Sequence, residues 1–258
     1  DRAQLKSAAA EPGSALVWNP PVCSEGDSVT VRDRPGGLAL IVVLPSARTL
    51  ERHPELVSAV HRALPRAILP HAGTPTLKEL AESLRSPPAD LAAEVTDYLA
   101  WRGILTDHDT ASLLRRIIDL SSSISTVSGI SRAMYVSRRA IGRRLTARGM
   151  PAPSHWLQLA RVLRLATRLH TTGETLFESA YHLRYPDAFS ASNQMQRVVG
   201  YRPSAVRERL GLDWILEAWL RKQAADGNLC GREHASGSKG ASKDTYGRLG
   251  EGRVTANG

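Results

Sequence analysis

Between Leu120 and Gly173 this chain carries nine arginines, no lysine and no carboxylate. The same stretch reads as helices separated by short turns, and a solvated helical surface normally mixes both signs of charge. The flanking segments are close to neutral, with thirteen basic and fifteen acidic residues before the block and twelve and ten after it. The chain's net charge of +9 therefore resides in one segment. Guanidinium is a planar fork that suits phosphate oxygens and guanine edges, so a block of this kind points to a polyanion, nucleic acid first.

A length of 258 residues is enough to bury a sizeable core and to hold two domains with tails. At 42% hydrophobic and 5% aromatic residues, the composition excludes both a disordered polyelectrolyte and a membrane protein. The longest apolar run, LALIVVL at 38–44, is far too short to span a bilayer. The first residues lack the basic-then-apolar pattern of a signal peptide, and the start at Asp1 leads us to expect that the true N-terminus is missing. Cys23 and Cys230 stand far apart in loop-like contexts, which fits a reducing compartment. We expect a cytoplasmic, nucleoid-associated protein.

Residues 1–35 are rich in Pro, Gly and Ser and read as irregular, with at most a short strand near 28–32. Residues 36–105 read as a small α/β regulatory or dimerisation domain. Its strands are placed at 38–44 and 67–69, and its helices at 54–64, 77–84 and 89–102. Two strands are few for an independent sheet, so further strands are expected toward the N-terminus. Residues 106–222 read as almost wholly helical. Residues 223–258 form a Gly- and Ser-rich tail without apolar periodicity, expected to be disordered.

The segment 137–148, SRRAIGRRLTAR, carries the sharpest information. Ser137 is a good N-cap, and Gly149 with Pro151 supplies a stop. At about 100° per residue, Ile141 and Leu145 mark a buried stripe. Arg139 and Arg143 then point outward, while Arg138, Arg144 and Arg148 flank the stripe. This is the layout of a helix lying in a major groove, with outward arginines on guanine edges and flanking ones on phosphates.

Fifty residues on, the pattern echoes: Ser137 maps to Asp187, Ile141 to Ala191, Arg143 to Asn193, and Leu145 to Met195. The second helix, 188–199, turns Ala191, Met195 and Val199 inward and Phe189, Asn193 and Arg197 outward, with Ser190 in its first turn. Asparagine can read adenine bidentately, and phenylalanine can touch a thymine methyl. Shorter helices precede each echo helix, at about 126–133 and at 176–183, the latter opened by a Thr175–Glu178 capping box. That is two helix-turn-helix units. The helix between them, 155–169, has an apolar stripe of Trp156, Leu159, Ala160, Leu163 and Ala166, with Arg161, Arg164 and Arg168 on another side. It reads as a rigid spacer of about 22 Å, holding recognition helices whose grooves lie about 34 Å apart.

These residues resemble the AraC/XylS family of bacterial transcription regulators over about 110–210. The second-unit signature is met by Ala180, Tyr185, Asp187, Gly200, Pro203 and Arg207, and the linker pattern by Arg161, Val162 and Ala166. Departures are Arg184 and Tyr135 at the two turn-glycine positions, Ala191 and Met195 for phenylalanines, Asn193 for an arginine, and Ser131 for an alanine. A left-handed or otherwise strained backbone is expected at Arg184. The fold thus expected is mainly α: a C-terminal double helix-turn-helix domain with a linker helix, preceded by a small α/β domain. The resemblance implies double-stranded DNA as partner, with RNA polymerase and a second copy of the chain as further candidates, and names no effector. Residues 36–105 show no sugar-binding barrel. Their faint likeness to a receiver-type domain lacks an acidic residue at either strand end for phosphorylation.

No catalytic, cofactor or metal site is expected. The eight histidines form no cluster with zinc spacing, Ser154–His155 lacks an oriented acid, and no Gly-rich phosphate loop follows 38–44. The rival readings are a basic module that docks on another protein or an RNA and, more distantly, a DNA-repair protein, for which Cys23 would be the reactive thiol.

Overall fold

The computed structural model describes residues 2–20, 31–70 and 73–230. Among these, α1 (Arg2–Ala10) leads into strand β1 (Ala15–Trp18), and the apolar run at 38–44 supplies strand β2 (Ala39–Val43). Helices α2 (Ala47–Arg52) and α3 (Glu55–Arg62), strand β3 (Ala67–Leu69) and helix α4 (Leu77–Arg85) follow. The strands form one parallel sheet in the order β1-β2-β3, with Trp18 opposite Val42 and Ile41 opposite Ala67. Every residue of β2 is buried, as expected for a central parallel strand covered on both faces. Leu40 and Val42 pack with Trp18, Val31, Val60 and Ala63 on one face, and Ala39 and Ile41 pack with Leu80, Leu84 and Leu210 on the other.

The sheet therefore reaches into the stretch read as irregular. ALVW at 15–18 extends because β2 offers it a buried edge, a partner that local composition does not disclose. The strand placed near 28–32 is not found at its end, where Val31 and Arg32 are helical; its start, with Cys23, lies outside the described residues.

The remainder is helical: α5 (Leu91–Trp101), α6 (His108–Leu120), α7 (Val127–Ala133), α8 (Arg138–Thr146), α9 (Pro153–Thr171), α10 (Leu176–His182), α11 (Ala188–Val199), α12 (Pro203–Glu208) and α13 (Asp213–Ala225). Among the described residues, thirteen helices and three short parallel strands make a mainly α chain. Side-chain oxygens cap most of these starts: Asp90, Asp107, Thr126, Ser137, Thr175 and Asp187 each accept from the backbone N–H three residues on. Helix α9 is no one-sided spacer. Besides Trp156, Leu159, Ala160, Leu163 and Ala166 it buries Leu157, Val162, Leu165 and Leu169, and at nineteen residues it runs roughly 28 Å.

The largest apolar cluster takes in Leu91, Val95, Leu99 and Leu105 together with Leu114, Ile117, Leu163 and Trp219, so α5 belongs to the same core as α6–α13. At the other end, α13 continues past residue 222, Leu229 is buried, and Cys230 N–H donates to the Gly149 carbonyl (2.9 Å). The expected disordered tail thus begins with a packed stretch, and residues 231–258 lie outside the described residues.

A polar seam ties the sheet unit to the helices. Buried Arg34 donates to the carbonyls of Leu38 (3.0 Å), Ala63 (2.5 Å) and Leu64 (3.0 Å), and its guanidinium lies 4.3 Å from the Trp101 ring centre. Tyr98 accepts from Gly37 N–H (2.8 Å) and donates to Glu217 (3.0 Å), which Arg102 grips with two nitrogens. A Cβ at Gly36 would stand 2.1 Å from the Glu217 carboxylate, so the close approach requires glycine there.

Two outcomes follow from this packing. A fragment of residues 88–230 should melt cooperatively by circular dichroism, and one of residues 108–222 at a clearly lower temperature, because it loses α5 and Leu229; equal melting would contradict the single core. In addition, burial pushes the Glu94 carboxyl up to about 7 despite the pull of Arg66. A folded value above the unfolded one means that this contribution is full below about 4.5 and fades as pH rises through about 7. Glu94→Gln should therefore flatten the fall in melting temperature across that window, and parallel curves for variant and wild type would refute the assignment.

Candidate nucleic-acid interface

Two helix pairs, α7–α8 and α10–α11, share one kind of turn. In the first, Tyr135 has φ +54°, its N–H donates to the Arg132 carbonyl (3.1 Å), and Val136 N–H donates to Ser131 (3.1 Å). In the second, Arg184 has φ +55°, donates to Tyr181 (3.0 Å), and Tyr185 N–H donates to Ala180 (2.9 Å). Both are the reverse-turn cap in which a left-handed residue lets its own amide and the next one satisfy the last carbonyls of a helix. The left-handed backbone expected at Arg184 is present, and Tyr135 has it too. The Ser131 hydroxyl donates to the Val136 carbonyl (2.5 Å), a fastening that alanine could not provide. The second turn is one residue longer, with Pro186 before the Asp187 cap.

Helix α8 buries Ile141 and Leu145 and exposes Arg138, Arg139, Arg143 and Arg144. None of these four makes an ion pair among the described residues. Arg148 differs: it is half-exposed and paired with Asp107 (2.8 Å), which itself caps α6. The expectation that no acid balances the helix fails at this one residue, whose partner lies 41 positions upstream. Backbone N–H donation from Thr110, helped by Arg148, holds the Asp107 carboxyl below its ordinary range.

Helix α11 turns Ala191, Met195, Val198 and Val199 inward and leaves Phe189, Asn193 and Arg197 exposed, as its spacing predicts. Ser190 is half-buried, and its backbone N–H donates to Asp187 (2.6 Å). Ala191 and Met195, standing where the resembled family has phenylalanines, are fully buried.

The linker arginines are not free. Arg161 lies over the Tyr185 ring (4.3 Å) and donates to the Leu183 carbonyl (3.2 Å). Arg164 donates to Ser121 Oγ (3.0 Å) and the Ile118 carbonyl (2.8 Å), and burial lowers its pKa. Arg168 is forked onto Glu174, with Nε to Oε2 at 3.1 Å. These three fasten helix ends around α9, so their guanidinium groups are already engaged within the fold. Arg132, absent from the sequence-derived set, is exposed beside α8 without an ion pair among the described residues. Tyr135 is 97% exposed at the turn into α8, and an aromatic at a turn-glycine position was its available signal. Phe177 and Tyr181, four residues apart on α10, are also exposed.

Among the described residues, no helix is long and apolar enough to cross a membrane, and no group of His, Cys, Asp and Glu could hold a metal ion. No family model, no curated relative and no solved structure matches the chain.

The turns themselves are testable. A left-handed non-glycine residue costs about 1–2 kcal/mol, part of which glycine returns as unfolded-chain entropy. Tyr135→Gly and Arg184→Gly should each stabilise by about 1 kcal/mol in denaturant melts. Destabilisation by either would show that its side chain contributes more than its backbone costs.

Proposed function

We propose that this chain is a sequence-specific DNA-binding transcription regulator, with α7–α8 and α10–α11 acting as two helix-turn-helix units. The observation that carries this is the cluster of Arg138, Arg139, Arg143 and Arg144 on one short helix, exposed and without ion pairs among the described residues. Four like charges repel one another on a surface that could have been neutralised, which makes sense where phosphates supply the counter-charge. Gly142 supports the same reading. Glycine inside a helix costs about 1 kcal/mol relative to alanine, yet a Cβ there would meet nothing within 4 Å. The space it leaves lets a partner approach the helix axis closely.

In this reading Arg139 and Arg143 reach guanine edges, Arg138 and Arg144 hold phosphates, and Asn193, Phe189 and Arg197 read the second groove. Ser190 is close enough to the α11 start to donate to a phosphate. The resemblance to AraC/XylS regulators agrees with this division of labour, and a nucleoid location, RNA polymerase and a second copy of the chain are its further consequences. One observation favours a rival: exposed Tyr135, Phe177 and Tyr181 are suited to stacking on single-stranded bases or to docking a protein.

Selection from a random duplex pool decides between them. We expect a defined sequence to be enriched, with Arg139→Ala and Arg143→Ala each relaxing preference at one base pair by about 1–3 kcal/mol. Arg138→Ala and Arg144→Ala should weaken all duplexes alike and lower the slope of log affinity against log salt by about 0.9 each. Recovery of no duplex sequence by a folded chain would hand the arginine face to RNA or protein.

A further inference from the structure

A cavity of about 260 Å³ opens where three elements meet: the turn between α3 and β3, helix α5, and the first turn of α13. Its apolar lining comes from Leu64, Pro65 and Leu216, and its polar lining is dominated by carboxylates. Two of these already have partners, since Asp90 is paired with Arg115 and Glu94 with Arg66. Two do not. Asp97 is exposed and makes no ion pair among the described residues. Asp213 is buried, and its Oδ2 has no hydrogen-bond partner.

Asp213 is the informative residue. A buried carboxylate without a partner is unfavourable, and burial pushes this carboxyl above its ordinary range until a cation compensates it. The obvious partner, Arg66, is turned away: its terminal nitrogens bind Glu94 and the Ser86 carbonyl (2.8 Å), and its Nε is itself unpartnered. Arg34 attracts Asp213 only at longer range, being held by the carbonyls of Leu38, Ala63 and Leu64. Asp213 lines this accessible space, with its unmet Oδ2 just behind the surface, and the remaining free charge there, Asp97, is also negative.

We propose that this cavity binds a small organic cation, an aliphatic ammonium whose nitrogen meets Asp213 and whose carbon stem lies against Leu64, Pro65 and Leu216. A metal ion fits less well, because no group of carboxylates or histidines among the described residues stands close enough to share one, and half of the lining is hydrocarbon. The volume lies just below the roughly 300–1,000 Å³ of drug-sized pockets, so the occupant is small. The site stands apart from α8 and α11, and its assignment does not depend on what those helices bind.

The test is an NMR titration of the ¹⁵N-labelled full chain with n-butylammonium chloride at fixed ionic strength, with n-butanol as the uncharged comparison. A ligand of this size has an affinity in roughly the millimolar range. Saturable shifts should appear at amides bordering the cavity, with butanol at least about tenfold weaker, as expected when a charge-assisted hydrogen bond is lost. Asp213→Asn should weaken binding by a similar factor. Ala93→Leu fills the cavity without altering its charge and should abolish binding, so the test stands even if the Asp213 variant does not fold. Equal binding of butanol and butylammonium, undiminished binding by either folded variant, or no saturable shift in the wild-type chain would each overturn the proposal.

Discussion

The burial of α9 is the constraint on which the helical part of this molecule depends. A helix with apolar side chains on most of its circumference cannot remain in water, and roughly 25 cal/mol per Å² favours covering each of them. Helices α6, α7, α8, α10, α11 and α12 all lie against it, and Trp156 meets Trp219 of α13 with ring centres 4.6 Å apart. Both exposed helices are therefore set by one rigid element. Their outward faces are what remains after Ile141, Leu145, Ala191 and Met195 have been committed to the core.

The arginine block divides according to the same geometry. Arg161, Arg164 and Arg168 project from α9, where a polar group can reach solvent only at the margins of its neighbours. Guanidinium suits such margins because its several donors can satisfy the carbonyls at helix ends, as at Leu183 and Ile118. Those on α8 have no neighbouring carbonyls to serve and project into water. A count along the sequence treats all nine alike; burial separates those that hold the fold from those whose charge is left exposed to solvent.

What could be read from the sequence was whatever depends on near neighbours. The N-caps Ser137, Thr175 and Asp187 each act within one helical turn, and the inward and outward sets on α8 and α11 follow from helical spacing alone. The strained backbone at Arg184 was anticipated only because the resembled family has a turn glycine there, and Tyr135 adopts the same conformation at the matching position of the first turn. Distant pairings were hidden. Strand β1 is specified by β2, Asp107 reaches Arg148 across 41 positions, and Tyr98 reaches Glu217 across 119. The packing of Leu229 and Cys230 was concealed by a Gly-rich context that resembles the tail beyond it.

Helix α13 joins the two regions of chemical interest. It begins at Asp213 on the cavity, carries Glu217 into the seam with Tyr98 and Arg102, places Trp219 on α9, and ends with Lys222 donating to the Arg197 carbonyl near the end of α11. Close-packed cores transmit strain rather than absorb it. A change of charge or occupancy at Asp213 acts on the first turn of this helix, whereas α11 meets its last turns. The seam residues lie between, so the sheet unit and α11 both pack against this one helix. In such an arrangement the sheet unit need not move as a domain to affect α11. It need only alter how firmly the first turn of α13 is held.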